Sequence, residues 1–104
     1  MEFKRKKITF KNKPTVAYAV VGLDPTVFRG LKIIVIKDKI SGWYAYEATT
    51  QITVTPTSWN GGFSNATRAG IIQIVANKLR ELPEESWEII QKKIRYQLKG
   101  SPNG

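Results

Sequence analysis

The sequence predicts an α+β domain, in which an antiparallel sheet of about five strands forms the N-terminal half and two helices pack on it from the C-terminal half. Up to Thr55 the apolar residues form short β-branched or aromatic runs, whereas after Ser64 they recur at intervals of three and four. With 104 residues, 41% of them hydrophobic, the chain is the size of one packed domain. We expect a single basic domain over 1–104, with 1–6 and 100–104 flexible.

Alternation of apolar and polar side chains defines the strands. The five predicted strands are residues 6–11, 15–21, 31–37, 43–47 and 51–55. The third contains the unbroken apolar run Ile33–Ile36, which is typical of a central strand covered on both faces. In the second, Ala17 and Ala19 share one side, and such small side chains would let a helix approach closely. Short connections favour antiparallel pairing of these strands.

Two helices are predicted after the strands. Ser64 or Asn65 can cap the first, which continues to about Glu81. Pro83 suits the first turn of the second helix, and Gly100 is placed to end it. The residues predicted to share one core are Ile33, Val35, Ile71, Val75, Trp87, Ile90 and Ile94.

The charge of the chain is strongly unbalanced. It has 17 Lys and Arg against 8 Asp and Glu, a formal net charge of +9. Such a field attracts anions over long distances, although basic composition also serves solubility alone. The imbalance favours a polyanionic partner, with nucleic acid as the leading candidate.

Several classes of chemistry have no residues to support them. The chain has no Cys and no His, the residues that supply thiolate nucleophiles, imidazole bases and most transition-metal ligands. No glycine-rich phosphate-binding motif occurs. Asp24, Asp38 and Glu47 could meet at a magnesium site, but each lies next to a turn or strand end, where a structural role is expected. We therefore expect a non-catalytic protein without a metal or cofactor.

The apolar runs also bear on location. None approaches the ~20 residues of a membrane span, and the lysine-rich start leads into no signal-peptide apolar region. These features predict a cytoplasmic protein that does not enter a membrane.

The N-terminus concentrates positive charge. Six cations lie within the first thirteen residues: Lys4, Arg5, Lys6, Lys7, Lys11 and Lys13. A basic arm of this kind can neutralise phosphates without reading bases. Lysines also protect edge strands from aggregation, so both roles stay open.

Two tyrosines suggest a stacking platform. Tyr44 and Tyr46 share one strand face, and Lys37 and Lys39 precede them. The arrangement resembles in kind a base-stacking surface beside a phosphate track, although both rings could instead be core aromatics. If Trp43 faces the core, alternation turns the tyrosines away from it.

Two further groups are candidates for binding. Trp59 and Phe63 lie in a glycine-rich loop, where aromatics often anchor a ligand or partner; the alternative is a lid over the core. Lys92, Lys93 and Arg95 gather near the end of the second helix, where they could contact phosphates or form an ordinary solvated face.

Together these features predict a nucleic-acid-binding protein that holds single strands, DNA or RNA, or reads shape, and is not base-specific. The predicted contacts are Lys4, Arg5, Lys6, Lys7, Lys11, Lys37, Lys39, Tyr44, Tyr46, Trp59, Lys92, Lys93 and Arg95. One alternative is a small phage or mobile-element factor that docks on another protein, or pairs with itself as a homodimer. Another is a viral coat-like subunit with a positive sheet.

Overall fold

The computed structural model describes residues 1–40, 42–54 and 67–99, apart from the side chains of residues 98 and 99. Its elements are β1 (Glu2–Phe10), β2 (Lys13–Val21), β3 (Ile33–Asp38), β4 (Gly42–Glu47), α1 (Arg68–Glu81) and α2 (Glu84–Lys99). The strands form one antiparallel sheet in the order β1-β2-β3-β4. The predicted α+β class, with a sheet followed by two helices, is confirmed.

The sheet has four strands in the described part of the chain, because the predicted fifth strand does not form there. Between residues 51 and 54 an isolated bridge joins Thr53 to Tyr46. Gln51 has a φ of 61°, in the left-handed region, which interrupts extended backbone at the predicted start of the strand. Thr55 lies outside the described residues.

β1 begins four residues earlier than predicted. All nine of its residues pair with β2, starting with Glu2 opposite Val21, so residues 2–6 belong to the strand and are not a free arm. The hairpin turn between the two strands consists of Lys11 and Asn12, with φ values of 52° and 64°. Two left-handed residues are what a tight type I′ hairpin turn requires. The segment 100–104, also expected to be flexible, lies outside the described residues.

The main core lies between the sheet and the helices. Its buried members are Val20, Phe28, Ile33, Val35, Ala45, Ile71, Ile72, Val75, Ala76, Leu79 and Trp87. The predicted core is thus confirmed for its strand and α1 residues and for Trp87, and Ile90 packs against it partly buried. Ile94 is different: it is half-buried and lines a shallow cavity with Gln91 and Arg95, so it does not belong to this core.

The opposite face of the sheet encloses a second, smaller core of Ala17, Ile34 and Ile36. The sheet curls, since the rings of Phe10 and Tyr46 lie 4.7 Å apart although they come from the two edge strands. The side of β2 that carries Ala17 therefore faces the inside of this curl, and the expectation that a helix packs there is wrong. β3 is buried on both faces, as its unbroken apolar run predicted.

The helices begin at different residues from those predicted. Thr67 is the N-cap of α1, and its Oγ1 accepts a hydrogen bond from the Gly70 amide at 2.9 Å. α1 therefore starts at Arg68, and the predicted caps at 64 and 65 lie outside the described residues. α2 starts one residue after Pro83, whose carbonyl accepts from the Trp87 amide at 3.0 Å. Neither helix is long and apolar enough to cross a membrane.

Arg29 joins the two helices. Its guanidinium donates to the carbonyls of Leu79 at 3.3 Å and Leu82 at 3.5 Å, and lies 3.4 Å from the Glu84 carboxylate. It also lies over the ring of Trp87, 5.0 Å from the centroid. The Leu79 carbonyl also accepts from the Leu82 amide at 3.4 Å, so Arg29 adds a second donor to that carbonyl and supplies a donor to the Leu82 carbonyl just beyond α1.

Replacing Arg29 by Met is expected to lower the free energy of unfolding by about 1–3 kcal/mol, because the stem is retained while the hydrogen bonds and the stacked cation are lost. Urea unfolding measures this difference. The matched control is Arg80→Met on the exposed face of α1, expected to change stability by less than about 0.5 kcal/mol. Equal effects of the two substitutions would show that Arg29 does not hold the helices together.

Candidate nucleic-acid interface

Part of the helix-side sheet face carries cations next to aromatic rings. Arg5 lies opposite Tyr18 in the β1–β2 register, and Lys37 lies opposite Trp43 in the β3–β4 register. Residues that oppose each other in antiparallel strands project to the same side. Lys7 follows Arg5 on that side, one strand period away. Three cations therefore share a face with two aromatic rings.

Arg68 lies against these rings. Its guanidinium lies 4.3 Å from the ring centroid of Tyr18, 5.0 Å from that of Phe3 and 5.4 Å from that of Trp43. Tyr18 and Trp43 meet edge to face at 5.5 Å. We call Phe3, Tyr18, Trp43 and Arg68 the Arg68 platform; all four side chains are half-buried. The stacking fixes the guanidinium and leaves edge donors for a ligand.

The electrostatics of the Arg68 platform favour an anion. Arg68 is the first residue of α1, and the first turn of this helix contains no acidic residue. A cation at the positive end of a helix dipole is unfavourable by itself, and stacking on three rings offsets part of that cost. Among the described residues the single salt bridge is Arg29–Glu84, so no carboxylate of that part of the chain neutralises Arg68, Arg5 or Lys7.

A shallow cavity of about 490 Å³ adjoins the Arg68 platform. Its lining residues are Pro14, Thr15, Val16, Tyr18, Lys37 and Trp43. This volume lies in the range of small-molecule sites. The cavity is open to solvent, with two rings and an ammonium group at its walls.

The two predicted platform tyrosines lie on the other face of the sheet. Trp43 faces the helices and Tyr44 and Tyr46 face away, as alternation along the strand predicted. The Tyr46 ring packs edge-on against Phe10 in the second core. Burial raises the pKa of Tyr46 above its ordinary value, and the nearby charges of Tyr44 and Asp38 raise it further. The Tyr46 ring is therefore part of a packed side-chain cluster, which leaves less of the ring open for stacking on a base.

Alternation also divides the N-terminal cations. Arg5 and Lys7 share the face of the Arg68 platform, whereas Lys4 and Lys6 project to the opposite face, and all four are exposed. Lys11 is in the hairpin turn, with its Nζ 5.4 Å from the centroid of the Phe10 ring. The structure therefore brings two of the six cations of the predicted N-terminal cluster to the face of the platform.

The predicted cations of α2 lie elsewhere. Lys92, Lys93 and Arg95 are exposed, and Lys93 lines a cavity together with Leu79. Leu79 is separated from Arg68 by about 16 Å along α1, at 1.5 Å per residue. These three residues are therefore near the end of α1 that is remote from the platform.

The remaining predicted contacts are in loops. Lys39 is exposed in the turn between β3 and β4. Trp59 and Phe63 lie outside the described residues, so their roles stay predictions.

The carboxylates considered for magnesium hold turns. Glu47, only 5% exposed, accepts hydrogen bonds from the amides of Thr49 and Thr50 and from the Thr50 hydroxyl, at 2.7–3.1 Å. Asp24 and Asp38 each accept from the amide two residues later at 2.8 Å. In the described ranges no cluster of three or more His, Cys, Asp or Glu could hold a metal ion.

Sequence reasoning did not identify Phe3, Tyr18, Trp43 and Arg68 as one site. Tyr18 and Trp43 follow the period of their strands, but only the register between strands brings them together. Arg68 joins them because α1 begins there, which depends on the Thr67 cap. The chain matches no protein-family model, no curated protein and no solved structure, so a functional proposal depends on this geometry.

Proposed function

We propose that this is a non-catalytic nucleic-acid-binding protein that holds a single strand on the helix-side surface of its sheet. The observation that carries the proposal is the Arg68 platform, with an open cavity beside it and Arg5, Lys7 and Lys37 on the same face. Cations interleaved with half-exposed rings are what a strand of phosphates and bases requires.

In this proposal the cations and rings have separate tasks. Arg5, Lys7 and Lys37 contact phosphates, which supplies affinity and salt dependence. A base enters the cavity and stacks on the Trp43 ring or on the guanidinium plane of Arg68. A duplex keeps its bases stacked and paired, so single strands are expected to bind more tightly. Because a ring face can stack on any base, the protein is expected to bind single strands of any sequence.

The test is the fluorescence anisotropy of labelled single-stranded DNA, RNA and duplex DNA titrated with the protein at several salt concentrations. Affinity should fall steeply with salt, with a slope of about 0.7 per phosphate contact for single strands. A parent protein that binds none of the three at low salt would refute the proposal.

Charge reversal on alternate residues of β1 makes the test specific to one face. Arg5→Glu with Lys7→Glu is expected to weaken single-strand binding and to lower the salt slope by about 1–2, because two phosphate contacts are lost. Lys4→Glu with Lys6→Glu changes the net charge equally on the opposite face, so it should affect the slope much less. If both pairs of substitutions act alike, the overall field and not this surface binds the nucleic acid.

A further inference from the structure

The outward face of α2 displays large apolar side chains to solvent. Ile89 is 56% exposed and Tyr96 is 76% exposed. They are seven residues apart, which on a helix places them almost directly above each other. Trp87 and Ile90 point the other way, into or against the main core. This stripe is therefore not needed to pack α2 on its own domain.

The apolar surface extends beyond the helix. Ile52 joins Ile89 and Tyr96 around a shallow cavity of about 530 Å³. A second cavity of about 400 Å³ shares Ile52 and Lys93 with the first and continues to Leu31, Leu79 and Ile90. A flanking side chain from another molecule would bury more apolar area here than the stripe alone offers.

The charges of α2 indicate which molecule covers this apolar face. Its N-terminal half contains Glu84, Glu85 and Glu88, and its C-terminal half contains Lys92, Lys93 and Arg95. Glu85, Lys92 and Lys93 lie within about 60° of Ile89 around the helix axis, and Glu88 and Arg95 flank the apolar stripe on one side, by the 100° step between residues. Two antiparallel copies of this face place the acidic half of one against the basic half of the other, and they also oppose the helix dipoles. A nucleic acid would instead meet the carboxylates of the N-terminal half.

We propose that two copies of this chain associate through the outward faces of α2, antiparallel, around a two-fold axis near the middle of the helix. The contact is isologous, so each copy supplies the same apolar stripe and both halves of the charge pattern. A single helix pair buries a small area, so the association is of the weak class that is in exchange at micromolar concentrations. The Arg68 platform stays outside this contact, and the inference does not depend on nucleic-acid binding.

Sedimentation equilibrium of the full chain without nucleic acid tests the proposal. From low to several hundred micromolar protein, the weight-average mass should rise from 11.8 kDa toward about twice that value. Ile89→Ala with Tyr96→Ala should keep the chain monomeric over this range. The control is Ile40→Ala, which truncates an even more exposed apolar side chain in the β3–β4 turn and should leave association unchanged. A parent that stays monomeric throughout overturns the proposal.

Charge exchange tests the antiparallel arrangement. Glu85→Lys with Glu88→Lys gives a helix face that is positive along its length, and Lys92→Glu with Lys93→Glu gives one that is largely negative. Each variant alone should associate at least tenfold more weakly than the parent, whereas an equal mixture should recover a dimer that contains one of each. All four positions are exposed, and circular dichroism verifies that the variants are folded. If the mixture associates no better than the separate variants, the α2 contact is refuted.

Discussion

Truncating Ile33 to Ala is expected to lower the free energy of unfolding by about 2–5 kcal/mol. Ile33 is 2% exposed and lies at the start of β3, in the main core together with Ile71 and Val75. Its removal loses the transfer energy of the deleted carbons and leaves a cavity between the sheet and α1. Neighbouring side chains of a packed core relax only partly into such a space.

Urea unfolding followed by circular dichroism measures the loss. Ile40→Ala is the matched control, since the same atoms are removed from a side chain that is 94% exposed, and its effect should be under about 0.5 kcal/mol. Ile90→Ala should give an intermediate loss, because Ile90 is only partly buried against the core. An Ile33→Ala loss as small as that of Ile40→Ala would contradict the placement of β3 between the two cores.

The fold could be predicted where burial alone determines the pattern. β3 is buried on both faces, and the four consecutive apolar residues Ile33–Ile36 permit few other structures. The ends of the elements depend on more local choices. Ser64, Asn65 and Thr67 can all cap a helix, and the sequence does not distinguish them. The hairpin turn at Lys11 and Asn12 was also missed, since a lysine in left-handed conformation carries no turn signal.

The candidate site was harder to predict because it is assembled from four elements. Alternation correctly separated Trp43 from Tyr44 and Tyr46. It could not show that the sheet curls and brings Phe10 of the far edge strand onto Tyr46. Alternation fixes which side chains share a strand face, whereas the curl and the start of α1 determine which face stays open.

The edge position of β1 reconciles the two interpretations of its cations. β1 is at the edge of the sheet, where charged side chains discourage pairing with other chains. Lys4 and Lys6 on the face away from the Arg68 platform are suited to this protective role. Arg5 and Lys7 can protect the edge and also contact phosphates, because the same exposed cations serve both tasks.

Replacing Trp43 by Ala is expected to weaken single-strand binding by ~1–3 kcal/mol, whichever of DNA or RNA is bound. Trp43 forms a wall of the cavity beside the Arg68 platform and presents a large ring to it. Duplex binding should fall less, because paired bases offer no free faces. Anisotropy titrations of both ligands measure the two changes. Trp59→Ala is also predicted to weaken single-strand binding more than duplex binding.

The salt slope and two further variants separate stacking from charge at this site. Stacking releases no counterions, so Trp43→Ala should shift the binding curve and leave its salt slope unchanged. Trp43→Phe keeps a ring face and should recover most of the affinity. Tyr44→Ala removes the neighbouring ring from the opposite face of the sheet, so it should bind nearly as the parent does. With circular dichroism confirming the fold of each variant, undiminished single-strand binding by Trp43→Ala would mean that no base stacks on this ring and that the cations alone hold the strand.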